Sequence, residues 1–395
     1  MRISERVSRM TPSATLAMDA RAKRMVEMEQ KDVLSFALGE PDFPTPESIR
    51  EAAARAMSQG HTKYTAATGT PRLKQAIAEA AERDLGLSFS PTEICVSNGA
   101  KHALTNIFET LINPGDHVIL VAPYWVSYAD LIQLCDGECT AVETRAEDDF
   151  VPSVDAMAAL VQDNTVAVLI NSPSNPSGAV WDRAAIEALG QLALERNLTI
   201  ISDEIYKHIM FDGRKHFSPA QTSDEVRQRT IIVDGVSKTY SMTGWRIGWL
   251  IAPEGFVKAV SNLQSQMTSC PNAIAQEASV EALTGPQDSV EAMRAEFERR
   301  RNLIVGRLQA IEALTCRRPA GAFYAFPDVS QLLGRELGGK VIQSATDVSD
   351  YLLDRALVST VPGPAFGMDG FVRLSFACST EQIKEGVRRI AEALA

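Results

Sequence analysis

The chain has 395 residues, of which 45% are hydrophobic, 23% charged and 6% aromatic, a globular composition that excludes a disordered chain or a coiled coil. Its 39 basic and 50 acidic residues give a formal net charge of -11. Such a field repels nucleic acid and anionic membranes, so we expect neither as a partner. Six cysteines form no CxxC pair and no histidine has a zinc-binding spacing, so we expect reduced, mostly buried thiols and no metal.

The amino terminus predicts a cytoplasmic protein. Residues 1–6 carry charges and lack the apolar core of a signal peptide. No apolar run in the chain approaches the roughly 20 residues that are needed to cross a bilayer.

The middle of the chain alternates short runs rich in Val and Ile with helical patterns, which is typical of a parallel sheet covered by helices on both faces. Asp182 is predicted to cap one of these helices, in which the apolar residues Ile186, Leu189 and Ala193 recur at spacings of three and four. The sequence therefore predicts an α/β fold with a mostly parallel central sheet. The predicted strands are residues 93–96, 117–121, 166–170, 198–201, 230–233 and 248–251.

The pattern changes after Gly285-Pro286 to a long charged helix. This helix is expected to join two lobes, with the basic run 299–301 facing water. Beyond it, residues 322–326 and 371–376 alternate as half-exposed antiparallel strands do, which predicts a smaller α+β domain. The apolar stripe of the helix consists of Met293, Phe297, Ile304, Leu308 and Ile311.

The most informative segment is 234–248, DGVSKTYSMTGWRIG, in which Lys238 and Arg246 stand eight residues apart after a strand. A surface loop is the alternative interpretation of such a segment. A lysine that forms a Schiff base must be partly desolvated, because the neutral amine is the nucleophile, and a nearby guanidinium suits a phosphate. Lys238 and Arg246 are therefore candidates to hold one phosphorylated aldehyde.

Polar residues also lie where buried elements begin or end. Asp203 closes an apolar strand, a position that suits a turn or a helix cap as well as a site. Gly99-Ala100-Lys101 opens a predicted helix, whose free N–H groups form an anion cradle and whose dipole opposes the lysine charge. Arg373 interrupts an apolar strand pattern, so it requires a carboxylate, from an internal salt bridge or from a ligand.

The segment with Lys238 resembles the cofactor-lysine motif of fold-type I aminotransferases that use pyridoxal phosphate, Ser-Lys-x-x-x-Met-x-Gly-Trp-Arg-x-Gly. The segments 122–125, 171–178 and 202–206 resemble the other blocks of the class I aspartate aminotransferase group, in the same order. The resemblance spans nearly the whole chain, from residues 11–15 to Arg373, and is closest to the prokaryotic subgroup one-beta. It implies fold-type I architecture.

The resemblance also implies how pyridoxal 5'-phosphate is held. Lys238 carries the cofactor as a Schiff base and later moves the substrate proton, while Asp203 keeps the pyridine nitrogen protonated. Asn175 and Tyr206 match the hydrogen-bond partners of the cofactor's phenolic oxygen, and Trp125 matches the aromatic ring stacked on the cofactor. The implied phosphate contacts are Gly99, Ala100, Ser237, Arg246 and, from the neighbouring subunit, Tyr64.

Substrate contacts are carried over in the same way. Arg373 matches the clamp on the substrate α-carboxylate, with the backbone of Gly39 opposite it, and Lys101 with Thr15 matches the pair that binds the side-chain carboxylate of aspartate or glutamate. Trp125 and Asn175 belong to this set too. Some members of the subgroup accept prephenate and often carry a basic residue where this chain has Thr11, which favours the narrower aspartate enzyme.

The implied function is reversible transfer of the amino group from L-aspartate to 2-oxoglutarate by a ping-pong mechanism in a homodimer with shared active sites. Three alternatives stay open: an aspartate/prephenate or aromatic aminotransferase, a carbon–sulfur lyase of the same fold, and a non-enzymatic regulator that binds the cofactor. The expected domains are 1–45, an amino-terminal arm with part of the small domain, 46–284, the large cofactor-binding domain, and 285–395, the interdomain helix with the carboxy-terminal small domain.

Overall fold

A computed structural model describes residues 1–10 and 12–395 of the chain, so Thr11 and the inference drawn from it lie outside the described residues. The strands are β1 (Leu34–Ser35), β2 (Ile94–Ser97), β3 (His117–Val121), β4 (Glu138–Val142), β5 (Thr165–Asn171), β6 (Thr199–Asp203), β7 (Thr230–Gly235), β8 (Gly248–Ile251), β9 (Tyr324–Ala325), β10 (Glu336–Leu337), β11 (Lys340–Val341), β12 (Val358–Ser359), β13 (Val361–Pro362) and β14 (Val372–Ser375).

The α-helices of the described residues range from one to six turns. They are α1 (Glu5–Ser8), α2 (Ala14–Glu29), α3 (Glu47–Ser58), α4 (Pro71–Leu85), α5 (Ala100–Leu111), α6 (Ser127–Leu134), α7 (Val154–Ala158), α8 (Arg183–Glu195), α9 (Asp224–Arg227), α10 (Glu254–Met267), α11 (Ala273–Thr284), α12 (Asp288–Leu308), α13 (Ala345–Tyr351) and α14 (Thr380–Leu394). Leu352–Ala356 continues α13 as a π-helical turn.

The central sheet has seven strands in the order β2-β8-β7-β6-β5-β3-β4, and only β8 runs antiparallel to its neighbours. The six strands predicted from the sequence are all present, and the mostly parallel α/β fold is confirmed. The seventh, β4, was not predicted. It is an edge strand whose first residues, Glu138 and Cys139, are exposed, so it lacks the Val and Ile run of a buried strand.

Helices cover both faces of this sheet, as predicted. The side chain of Asp182 accepts a hydrogen bond from the Ala185 N–H at 2.8 Å and so caps α8. Ile186, Leu189 and Ala193 of α8 are buried against β5 and β6, whereas α5 and α10 pack on the opposite face. A sheet buried on both faces leaves polar side chains only at the strand ends.

The prediction that residues 299–301 face water is wrong for two of the three. Arg301 is 0% exposed and donates to both carboxylate oxygens of Asp212, at 2.7 and 2.9 Å, and Arg300 is buried between Asp42 and Glu296. The helical period explains the error, because Arg301 lies four residues after Phe297 and three before Ile304, within the apolar stripe. Only Arg299 is exposed. Ile311, assigned to the stripe, lies beyond the end of α12.

Arg301→Ala is expected to lower the free energy of unfolding by about 2–4 kcal/mol, because it opens a cavity and removes the ion pair between a buried guanidinium and the more exposed Asp212. Arg299→Ala is the matched control on the same helix, since its exposed pair with Glu296 stabilises the fold little. Urea unfolding followed by circular dichroism measures both. Equal midpoints for the two variants would contradict a structural role for the buried guanidinium.

The carboxy-terminal segment forms a second, three-stranded antiparallel sheet in the order β13-β14-β9. The antiparallel pairing was predicted, but the expected half exposure is wrong, because every residue of β14 is buried. Val372 and Leu374 pack on α14 through Ile383 and Val387. The segment after β1 is hydrogen-bonded to the end of β14, since the Phe36 carbonyl accepts from the Ser375 N–H at 2.8 Å. β1 itself pairs with β12 in parallel.

The cysteines are all free, but only three of the six are buried, Cys95, Cys135 and Cys316. Cys135 caps the end of α6, and Cys139 lies in β4. Within residues 1–10 and 12–395, no helix is both long and apolar enough to span a membrane. The same residues contain no group of three His, Cys, Asp or Glu side chains placed to hold a metal ion.

Candidate active site

A cavity of about 290 Å³ lies at the carboxyl ends of the parallel strands and brings together segments from the whole chain. Asp203 ends β6, Lys238 follows β7, and Arg373 reaches the cavity from β14 of the second sheet. Twelve of the fourteen residues singled out in the sequence line this cavity: Thr15, Gly39, Ala100, Lys101, Trp125, Asn175, Asp203, Tyr206, Ser237, Lys238, Arg246 and Arg373. Gly99 borders it through Arg246, and Tyr64 does not line it.

The amine of Lys238 is held inside the cavity by a single backbone contact. Its Nζ donates to the Gly39 carbonyl at 2.5 Å. Burial lowers the pKa of Lys238 to about 8, and the positive charges of Arg373 and Arg246 act in the same direction. A fraction of the amine is therefore neutral near pH 7, which is the state that attacks an aldehyde.

Asp203 is a buried carboxylate without a cationic partner among the described residues. Its oxygens accept from the Tyr128 hydroxyl at 2.6 Å and from the Ile205 N–H at 3.2 Å. Burial raises the pKa of Asp203 to about 6, while these two hydrogen bonds lower it. Because a buried carboxylate is stable only with a partner, Asp203 is suited to hold a proton on a ligand nitrogen.

An anion cradle lies where β2 turns into α5. Gly99 has a φ of 91°, and a Cβ there would stand 2.4 Å from a guanidinium nitrogen of Arg246. A Cβ on Gly248 would likewise stand 2.2 Å from the backbone nitrogen of Ala100. The first N–H groups of α5 have no partner within the helix, and Arg246 pairs with no carboxylate of the described chain. Together with Ser237, these groups form an electropositive cradle whose donors suit a phosphate.

Arg373 has no carboxylate partner among the described residues, so the internal salt bridge considered for it is not formed. Its guanidinium donates to the Asn175 side-chain oxygen at 2.9 Å and to the Ala37 carbonyl, and its Nε has no partner within the described chain. The group is 2% exposed and lies against the rings of Tyr324 and Phe366. A buried, unpaired guanidinium facing a cavity requires an anion, and a carboxylate fits its geometry.

Asn175 and Tyr206 project from turns that follow β5 and β6. The Asn175 N–H donates to the side chain of Asn171 at 2.8 Å, and the neighbouring peptide bonds before Pro173 and Pro176 are both cis. The Tyr206 hydroxyl shares a hydrogen bond of 2.8 Å with the hydroxyl of Tyr324. Both side chains therefore have fixed positions beside the cavity.

Lys101 gives the cavity a further cation. Its Nζ lies 4.8 Å from the ring centre of Trp125, and Thr15 lines the same cavity. Burial and the nearby charge of Arg246 lower the pKa of Lys101. Four cationic side chains, Lys101, Lys238, Arg246 and Arg373, therefore face one lining carboxylate, Asp203, which favours ligands with several negative charges.

Sequence reasoning missed two tyrosines. Tyr128 was not singled out, although it lies three residues after Trp125 on a helix that faces the cavity. Tyr324 was taken only as part of a strand, and its partners Tyr206, Arg373 and Gly39 lie far away in the chain. An aromatic residue in an apolar pattern is usually a core residue, so nothing in the spacing distinguishes these two.

Comparisons with known proteins agree with this arrangement. The family model described as aminotransferase class I and II matches residues 31–390. The chain is 43% identical over 388 residues to an aspartate aminotransferase of Bacillus sp. (strain YM-2), covering 98% of each chain. It is 41% identical over 397 residues to an aspartate/prephenate aminotransferase of Nitrosomonas europaea, covering 100% of each. The crystal structure of the aspartate aminotransferase from Rhizobium meliloti matches with a TM-score of 0.97 at 43% identity, covering 100% of this chain and 99% of that one.

Proposed function

The chain belongs to the class I and II aminotransferase family, and we propose that it transfers the amino group of L-aspartate to 2-oxoglutarate, giving oxaloacetate and L-glutamate. One observation carries the proposal. A single cavity combines a lysine amine of lowered pKa with a buried carboxylate and a buried guanidinium that have no oppositely charged partner in the described part of the chain. A transaminase needs these three groups for its cofactor carbonyl, its cofactor nitrogen and its substrate carboxylate.

The cavity fits pyridoxal 5'-phosphate. Arg246, Ser237 and the first N–H groups of α5 would hold its phosphate, because this cradle is electropositive and has no anion of its own. Asp203 would hold a proton on the ring nitrogen. When bound, the cofactor supplies an electron-withdrawing ring that stabilises negative charge at the substrate α-carbon. Trp125 would cover one face of the ring, and Asn175 and Tyr206 would contact its phenolic oxygen.

The remaining cations are assigned to the substrate. Arg373 binds the α-carboxylate and fixes its orientation, with Gly39 opposite it. Lys101 and Thr15 bind the side-chain carboxylate of aspartate or of 2-oxoglutarate. Lys238 would take the proton from the substrate α-carbon and later give it back, as a general base and then a general acid.

Lys101→Ala is expected to raise the KM for aspartate by about 10- to 100-fold, because a hydrogen bond to a charged group contributes about 1.5–3 kcal/mol. Activity toward an uncharged amino donor should change little. Steady-state kinetics with both donors measures the contrast, and Lys258→Ala on the exposed face of α10 is the control. Unchanged aspartate kinetics in a folded Lys101→Ala variant would remove the main support for an acidic substrate.

A second candidate, transfer to prephenate as well as to oxaloacetate, is favoured by the Nitrosomonas relative, whose name includes that activity. The residue that bears on the choice, Thr11, lies outside the described residues. With glutamate as the donor, comparable kcat/KM values for prephenate and oxaloacetate would establish the bifunctional enzyme. A prephenate value lower by 1000-fold or more, roughly the discrimination a polar pocket achieves, would establish the narrower one.

The proposal includes a cytoplasmic homodimer. Tyr64 is 90% exposed and does not line the cavity of its own chain, which supports the assignment that the partner subunit's Tyr64 completes the phosphate site. We also retain the division into residues 1–45, 46–284 and 285–395 as a proposal. The pairing of β1 with β12 supports placing the end of the first segment in the small domain.

A further inference from the structure

Tyr324 contacts two groups of the site, Tyr206 and Arg373. Its hydroxyl lies 2.8 Å from the hydroxyl of Tyr206, and its ring centre lies 4.6 Å from the guanidinium carbon of Arg373. Tyr324 and Tyr206 are 1% and 3% exposed, so no solvent competes for this contact. One side chain thus contacts both the group assigned to the cofactor and the group assigned to the substrate.

The position of Tyr324 is fixed on its remaining side by Gly39. A Cβ at Gly39 would stand 2.1 Å from the Tyr324 hydroxyl oxygen, so only glycine fits there. The backbone carbonyl of the same glycine accepts the hydrogen bond from Lys238. Tyr324 therefore packs directly against the backbone that positions the lysine amine.

The hydrogen bond between the two phenols has a direction that the site determines. A phenol carries one proton, and the Tyr324 hydroxyl has no partner among the described residues other than Tyr206. If the proton of Tyr206 is to point to an anionic oxygen in the cavity, Tyr324 must donate to the Tyr206 oxygen. A hydroxyl that accepts a hydrogen bond also becomes a stronger donor, because hydrogen bonds in a chain polarise one another.

We propose that Tyr324 is a positioning residue that acts through Tyr206: its hydroxyl donates to Tyr206 and thereby directs the Tyr206 proton to the cofactor's phenolic oxygen. Its ring holds the Arg373 guanidinium at the same time. This inference rests on the proposed function, because the cofactor supplies the oxygen that Tyr206 meets. It extends that function by adding a second tyrosine to the cofactor's hydrogen-bond chain.

Tyr324→Phe is the direct test, because it removes the hydroxyl and keeps the ring against Arg373. A weaker hydrogen bond to the phenolic oxygen leaves that oxygen more basic. The Lys238 nitrogen, which lies beside this oxygen when the cofactor is bound, therefore keeps its proton to higher pH. The pKa read from the visible absorbance of the cofactor-loaded protein is expected to rise by about 0.5. The KM for aspartate should change less than about 2-fold, because the aromatic contact with Arg373 is kept.

A double-substitution cycle separates action through Tyr206 from a general structural effect. Tyr206→Phe should raise the pKa of the visible band more than Tyr324→Phe, and adding Tyr324→Phe to Tyr206→Phe should change it no further. Tyr351→Phe is the matched control, since it removes a partly buried hydrogen bond from a phenol to the Ala393 carbonyl, outside the cavity. The charged groups that face Lys238, namely Glu40, Asp203, Arg246 and Arg373, are the same in all variants.

The outcomes distinguish this inference from the function on which it rests. A wild-type protein that acquires no visible band with pyridoxal 5'-phosphate would overturn the proposed function and the inference with it. A normal band whose pKa is unchanged by Tyr324→Phe would overturn the inference alone. A further rise on adding Tyr324→Phe to Tyr206→Phe would also overturn it, because Tyr324 would then act independently of Tyr206.

Discussion

Lys238→Ala is expected to reduce transamination between aspartate and 2-oxoglutarate by at least about 10⁴-fold, the largest loss of any single substitution. Removing the Lys238 amine abolishes two functions, the covalent bond to the cofactor and the transfer of the α-proton. The second lysine of the cavity, Lys101, is held over Trp125 in the role of a fixed cation and is not expected to substitute for it. The fold should be unaffected, because among residues 1–10 and 12–395 Lys238 forms one hydrogen bond and no ion pair.

Exchange of the aspartate α-proton with deuterium oxide, followed by NMR, measures the proton-transfer role directly. The variant should still bind pyridoxal 5'-phosphate, since the phosphate cradle and Asp203 are intact, yet it should show no exchange above background. Lys258→Ala, an exposed lysine on α10, should exchange at the wild-type rate. Exchange at the wild-type rate in Lys238→Ala would contradict the assignment of Lys238 as the base.

Asp203→Ala is expected to reduce turnover nearly as much, by about 10³-fold or more, because the ring nitrogen loses the carboxylate that keeps it protonated. Asp203→Asn should be similarly inactive, although the amide oxygen can still accept the hydrogen bond from Tyr128. In contrast, Asp203→Asn should increase the stability of the protein without cofactor. Burial raises the pKa of Asp203 to about 6, so above that pH the ionised carboxylate destabilises the fold, and the neutral amide removes this cost.

Stopped-flow absorbance of the half-reaction with aspartate measures the loss of activity, and thermal unfolding at pH 5 and pH 8 measures stability. In the wild type, the contribution of Asp203 to the free energy of unfolding is fully present below the unfolded-state pKa of 3.8. It is lost as the pH rises through about 6. The stability gained by Asp203→Asn should therefore be larger at pH 8 than at pH 5. A variant that turns over normally, or that is strongly destabilised at pH 8, would contradict a carboxylate retained for function.

The fold was largely predictable because its signals are local. Runs of Val and Ile mark strands buried on both faces, and the Asp182 cap with its apolar period marks α8. The errors occurred where tertiary contacts override local pattern. Arg301 is charged yet lies in the core because Asp212, 89 residues away, neutralises it, and β4 is an edge strand without an apolar run. The sequence around Arg301 does not indicate its pairing with Asp212, and the sequence around β4 does not indicate that this strand lies at the edge of the sheet.

The site was predictable to a different degree. Resemblance to a family named most of the lining residues, whereas the residue pattern alone pointed only to Lys238, Arg246, the start of α5, Asp203 and Arg373. Tyr324 was missed because its role depends on partners 118 and 49 positions away, Tyr206 and Arg373, which only the folded chain brings together. Likewise, only the folded structure shows that Arg373 has no carboxylate partner among the described residues.

The visible absorption spectrum of the purified protein, loaded with pyridoxal 5'-phosphate and then mixed with L-aspartate, tests the central claim most directly. We expect a yellow band that bleaches on adding aspartate and returns on adding oxaloacetate, because the amino group passes to the cofactor and back. Lysine or phenylalanine at equal concentration should bleach it far less. A protein that stays colourless with the cofactor, or a band that ignores aspartate, would contradict the account.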